Sequence, residues 1–109
     1  MRSKGASVWD YSVVSDILNV HKAGAKVAAS AELGDFTVDF NSEGTVVGLE
    51  IMHASDFFGS VSISKEDLSE LREVDILTEQ RNDIVLVMIR LLGENVNQVI
   101  PIPTPVLTQ

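Results

Sequence analysis

The sequence contains no cysteine. Disulfides, thiolate chemistry and cysteine-based zinc sites are thereby excluded. Positive charge is also scarce. Eight basic residues stand against 16 acidic ones, for a formal net charge of −8. A surface of that sign repels phosphate backbones unless cations gather in one patch. They do not: Lys22 and Lys26 lie near a turn, and Arg72, Arg81 and Arg90 are scattered. No nucleic-acid partner is expected, and the acidity reads as a contribution to solubility. Long apolar runs are missing as well. The longest, Ile84 to Ile89 followed by Leu91 and Leu92, is about half what a membrane helix needs, so no membrane partner is expected. The basic start Met1-Arg2-Ser3-Lys4-Gly5 leads into no long apolar segment or cleavage pattern. The expected location is cytoplasmic.

Familiar catalytic patterns are absent too. No serine stands in G-x-S-x-G, and none has a recognisable His and acid partner. Gly44-Thr45-Val46-Val47-Gly48 lacks the lysine and the following helix of a phosphate loop. The two histidines have no metal-ligand spacing. Trp9 and Tyr11 have no basic groove beside them in which to stack bases, so packing is their expected role. No catalytic residue and no cofactor is assigned, and the balance leans against an enzyme.

What is present is a chain of 109 residues, 45% of them hydrophobic. That is enough for one core and too apolar for disorder. The patterning predicts a single domain over 1–109 of the α+β class, mostly antiparallel β. About six strands and one short helix near residues 65–73 are expected. Ser12 to His21 reads as the first strand, with Leu18 and Val20 alternating against Asn19 and His21. Lys22-Ala23-Gly24-Ala25 is a turn. In Lys26 to Leu33, Val27, Ala29, Ala31 and Leu33 share one face. Their small size calls for something bulky above them, or for a close neighbouring strand.

The clearest unit is a β-hairpin over Phe36–His53. Phe36, Val38 and Phe40 alternate with Thr37 and Asp39. Asn41-Ser42-Glu43-Gly44 supplies turn formers, and Thr45 to His53 alternates again. Two registers fit this pattern: Val38 opposite Leu49, which sets Thr37 against Glu50, or Val38 opposite Val47, which sets Asp35 against Glu50. Gly48 lies mid-strand, where glycine costs about 0.5–1 kcal/mol relative to Ala. A bulge or a close neighbour should therefore accompany it.

After Ala54 to Phe58, a loop is expected through Gly59 to Val61-Ser62-Ile63. Ser64 and Asp67 read as a capping box opening the helix, with Leu68 and Leu71 on its packed side. Strands follow at Val74–Gln80, Ile84–Leu92 and Val96–Ile102. Ile84–Leu92 is apolar on both faces, interrupted only by Arg90. A chain this short has little to cover both faces. A homodimer through the Ile84–Leu92 region is therefore expected; the helix or the N-terminal segment is the other source of cover. Pro101, Pro103 and Pro105 remove donors from the ladder, so the tail reads as an edge or as an extended proline-rich ligand.

Candidate chemistry is confined to a few side chains. Asp39 and Glu50 fall on the polar face of the hairpin with Asp35 near one end. Such carboxylates could serve acid–base work or hold a divalent metal; solvated acidic residues are the plainer reading. His53 falls on the face of Leu49 and Ile51, as a ligand or as a strand-end histidine with one backbone partner. His21 should be exposed. The functional expectation is a non-enzymatic, homodimeric binding or protein-interaction module. The alternative is a small enzyme or metal-binding protein using Asp35, Asp39 and Glu50.

Gly34-Asp35, Asp39, Gly44, Val46-Val47-Gly48, Glu50-Ile51 and Ala54-Ser55 together resemble the signature of a small prokaryotic family, domain of unknown function 2283. Tyr11, Asp16, Leu18 and Val20 are similar to that family's opening segment. Ser12 and Asn19 depart from its pattern, where Asp and Tyr are common. The resemblance covers roughly residues 11–55, leaving 61–103 as a helix with C-terminal strands. It implies a β-hairpin core and no known activity.

Overall fold

The computed structural model describes residues 7–103. Its strands are β1 (Ser7–Ser12), β2 (Ile17–Lys22), β3 (Ala29–Leu33), β4 (Phe36–Phe40) and β5 (Val46–Met52), then β6 (Leu71–Arg81), β7 (Ile84–Gly93) and β8 (Asn97–Ile102). Two short helices, α1 (Ala54–Gly59) and α2 (Lys65–Ser69), lie between β5 and β6. The class is mostly antiparallel β, as expected. The count is eight strands rather than about six, in two sheets: β1-β2-β5-β4-β3 and β6-β7-β8.

The extra strand at the start is β1, which precedes the expected Ser12–His21 strand; of that range residues 13–16 are a turn and the strand, β2, starts at Ile17. Trp9, Tyr11, Leu18 and Val20 point to one side, Trp9 opposite Val20 and Tyr11 opposite Leu18. The turn between them carries Val13 and Val14, the latter 98% exposed. It closes through Asp16 at φ 59, whose amide donates to Ser12 O at 2.7 Å. The stretch Ala54–Gly59, to which the patterning assigns no element, is α1. The expected helix 65–73 is shorter: its capping box forms, with Ser64 and Asp67 each donating a backbone amide to the other's side chain. Leu71 already belongs to β6, because a spacing of three satisfies a helix turn and a strand entry alike.

The hairpin adopts Val38 opposite Leu49 and Thr37 opposite Glu50. Asp39 faces Gly48, yet Phe40 faces Val46, so Val47 is one extra residue in β5. This bulge lets a long turn coexist with a register that otherwise demands a two-residue one. Asn41 Oδ1 organises the turn by accepting from the amides of Glu43 and Thr45.

One buried cluster takes residues from both sheets and both helices: Leu18, Val20, Val38, Leu49 and Ile51 from the first sheet, Phe58 and Leu68 from the helices, and Val74, Ile76, Val87, Ile89, Leu91, Ile100 and Ile102 from the second. Burial of a side chain such as Phe58 or Ile89 contributes about 1.5–3 kcal/mol. The second sheet meets the first through β6, which lies against β1, β2 and β5. Lys22 ties the two by donating its ammonium to Ile76 O at 3.0 Å. Among the described residues, no helix is long and apolar enough to cross a membrane. Of the tail, Pro101 stands in β8 and Pro103 follows it; Thr104 and Pro105 lie outside the described residues.

Candidate functional site

The best-connected polar group is Asp16. Its carboxylate accepts from Tyr11 Oη at 2.6 Å, from Ser55 Oγ at 2.7 Å and from the Ser55 amide at 3.0 Å. Its backbone carbonyl accepts from the Ala54 amide, also at 3.0 Å. These two amides open α1, whose N-cap residue, His53, offers no side-chain cap. Asp16 therefore caps α1 from across the fold, meeting donors that a helix start leaves unpaired. Burial alone would raise the Asp16 carboxyl. Hydrogen bonds from Tyr11 and Ser55, helped by the charge of Lys65, outweigh it and hold the carboxyl below its ordinary value. Tyr11 is pushed above the usual phenol range by burial and by the same carboxylate. The Ser55 hydroxyl bonds the carboxylate directly with no histidine between, so the group lacks the relay of a nucleophilic triad.

The three carboxylates singled out in the sequence are not brought together. Asp35 is exposed in the turn before β4, 3.2 Å from His53 Nδ1. His53 leaves the face of Leu49 and Ile51: it turns outward at φ 53 after β5 ends at Met52. Its ring partner is thus a carboxylate rather than the backbone group expected of it. Asp39 accepts from Ser30 Oγ at 2.6 Å and lies across Gly48. A Cβ at Gly48 would stand 2.6 Å from Asp39 Oδ2 and 3.1 Å from its Cβ. Close approach and bulge together account for this mid-strand glycine. Glu50 shares the outer face with Asp39, one cross-strand step along. Among the described residues, no group of three or more His, Asp or Glu side chains is arranged to hold a metal ion. His21 is exposed on that same face, and Trp9 and Tyr11 pack against the core.

Comparison with known proteins locates these features. Residues 10–55 match the model of a family described as protein of unknown function (DUF2283). The uncharacterized protein MJ0789 of Methanocaldococcus jannaschii is 35% identical over 83 residues, covering 75% of this chain and 69% of that protein. The chain belongs to the DUF2283 family. No solved structure matches it. The DUF2283 segment begins beside Tyr11 and ends at Ser55, so its two ends meet in the Asp16 knot. Sequence reasoning noted all three residues but not their meeting, since a contact across 39 residues leaves no local spacing.

Beyond the DUF2283 segment, the outer face of the second sheet carries an apolar strip, chiefly on β7 and β8. Leu77 pairs with Met88, which pairs with Pro101, and Leu86 and Val99 lie beside them. Ile84 and Val99 are each 49% exposed, and Leu77 and Leu86 are exposed as well. The charges on this face run along β6, where Glu73, Asp75, Glu79 and Arg81 flank Leu77, with Arg90 beside them on β7. Arg90 donates to Glu73 at 2.9 Å and lies 3.5 Å from Asp75, and Arg81 pairs with Glu79 at 3.1 Å. A cleft of about 330 Å³ between β1 and β6 is lined by Ser7, Trp9, Glu73 and Asp75 among others. The carboxylates in it already belong to the Arg90 pairs.

Proposed function

We propose that this is a single-domain, non-enzymatic, cytoplasmic module for protein interaction, and that it forms a homodimer through the Ile84–Leu92 region. The observation that carries the reading is the exposed apolar strip of Leu77, Ile84, Leu86 and Val99 on the outer side of the second sheet. Val87, Ile89 and Leu91 of β7 are buried on the core side, while Ile84 and Leu86 are exposed on the other and Met88 is half-buried. The same strand is thus apolar in both directions, and helices and core cover only one of them. A contiguous apolar face is unusual on a monomer and suits an isologous two-fold contact. Of the carboxylates in the DUF2283 segment, Asp16, Asp35 and Asp39 are each engaged with a fold partner. Light scattering at tens of micromolar tests the proposal. A mass of at least two chains is expected; a monomer would overturn it.

A further inference from the structure

Two strand edges approach each other without pairing. β1 ends the first sheet and β6 ends the second, and the two strands touch. Among the described residues, no backbone hydrogen bond joins them. The ladder decides which groups of β1 are free. The Met52 amide donates to Asp35 O, so these two residues form a hydrogen-bonded pair. Such pairs alternate along antiparallel strands and change over from one strand to the next. Leu49 and Ile51 therefore bond toward β2, through Val20 and Leu18. Asn19 and His21 bond toward β1, through Asp10 and Val8. The backbone groups of Ser7 and Trp9 consequently point out of the sheet.

The cleft between β1 and β6 lies beside these groups, with Ser7 and Trp9 on one wall and Glu73 and Asp75 on the other. Ser7 Oγ is buried and has no hydrogen-bond partner among the described residues. Trp9, for all its size, is only half-buried. The β6 wall is acidic. Arg90 pairs with both Glu73 and Asp75, so one positive charge stands against two negative ones. Arg72 on the same wall is offset by Glu94. A free strand edge beside a cleft suits an added strand: ladder bonds hold it, and the cleft reads its alternate side chains.

We propose that an extended segment of a partner protein, with Lys or Arg at alternate positions, adds antiparallel to the free edge of β1. Residues directly opposite each other in such a pair point to one face. The residues that bond Ser7 and Trp9 therefore also send their side chains into the cleft, toward Glu73 and Asp75. The residues between them fall on the outer face beside Val8 and Asp10. Asp10 is exposed and adds to the preference for positive charge. The excess of 16 acidic over 8 basic residues draws a basic partner toward the whole surface. A second copy fits this edge less well, because its own β1 brings Asp10 and no basic side chain.

This contact rests on the protein-interaction reading above but not on the homodimer, which light scattering tests by itself. Trp9 is the sole tryptophan, so its fluorescence in the full chain reports the cleft. A capped octapeptide of alternating Lys and Thr is expected to shift Trp9 emission saturably, with half-saturation below about 1 mM. The same peptide with Glu in place of Lys should bind at least about tenfold more weakly, and so should one methylated at the backbone nitrogens of its lysines. Asp75→Asn, with its fold verified by circular dichroism, should weaken the Lys peptide by about threefold. No shift by about 1 mM, equal binding of the Lys and Glu peptides, undiminished binding after methylation, or full affinity in Asp75→Asn overturns the proposal. Trp9 emission that changes with protein concentration alone in Leu86→Lys would place a second copy at this edge and overturn it too.

Discussion

The outer face of the five-stranded sheet carries Asp10, Asn19, Glu50, Thr37 and Glu32 in one cross-strand row. The equivalent row on the three-stranded sheet reads Leu77, Met88 and Pro101. Both sheets bury their other face in the same core. The first meets water with polar side chains and is fastened through Asp16 and Asp39, while Lys22 ties it to the second. The second has few polar fastenings, mostly ion pairs made by β6. The difference teaches where to look for what each part does. Asp16 and Asp39 of the DUF2283 segment bond within the fold, whereas Ile84, Leu86 and Val99 of the second sheet stand exposed.

The sharpest way to break that comparison is to remove Asp16. Asp16→Ala deletes the tertiary cap of α1, leaves Tyr11 Oη without its acceptor and places alanine at φ 59. Lost charge-assisted hydrogen bonds and a lost cap together should lower the unfolding free energy by about 3 kcal/mol, measured by urea denaturation. A loss under about 0.5 kcal/mol, as for an ordinary surface residue, would mean that the knot is not structural. Acid titration gives a second handle. The folded-state carboxyl is held below its ordinary value, so its contribution is fully present above about pH 4, near the unfolded value. It fades as pH falls through the folded pKa. Asp16→Asn should flatten that part of the stability curve.

Next in size is one substitution made on each outer face. Leu86→Lys puts charge into the face proposed to meet its own copy and should weaken self-association by about thirtyfold, or about 2 kcal/mol. Thr37→Lys, on the polar row, should leave the association constant unchanged. Equal effects from both would remove the distinction between the faces.

How much of this was legible follows from how local each signal is. The Phe36–His53 hairpin was readable because alternation and turn chemistry sit within it, and Ser64 announced α2 through a capping box complete in four residues. The β1–β2 turn was hidden because exposed Val13 and Val14 stand where turn formers are usual, with closure left to a left-handed aspartate. Helix α1 was hidden because its cap comes from Asp16 rather than from its own first residues. The candidate carboxylates are not brought together, because partners that the alternation does not announce take two of them: His53 for Asp35 and Ser30 for Asp39. The apolar face of β7 was legible for the opposite reason, since a strand apolar in both directions states its need locally.

The smallest expected effect asks whether Asp39 and Gly48 form one unit. Gly48→Ala would set a methyl 2.6 Å from Asp39 Oδ2, so the carboxylate must swing away from Ser30. The clash and the lost hydrogen bond outweigh alanine's better fit to a strand, for a net loss of about 1 kcal/mol. With Asp39→Ala already in place the carboxylate is gone and only the 3.1 Å approach to the Cβ of residue 39 remains, so the same substitution should cost about 0.5 kcal/mol less than in the wild type. A double-mutant cycle reads the difference as a coupling between the two positions. Coupling near zero would return Gly48 to the bulge alone, and Asp39 to the pool of acidic residues on the polar face that are available for chemistry.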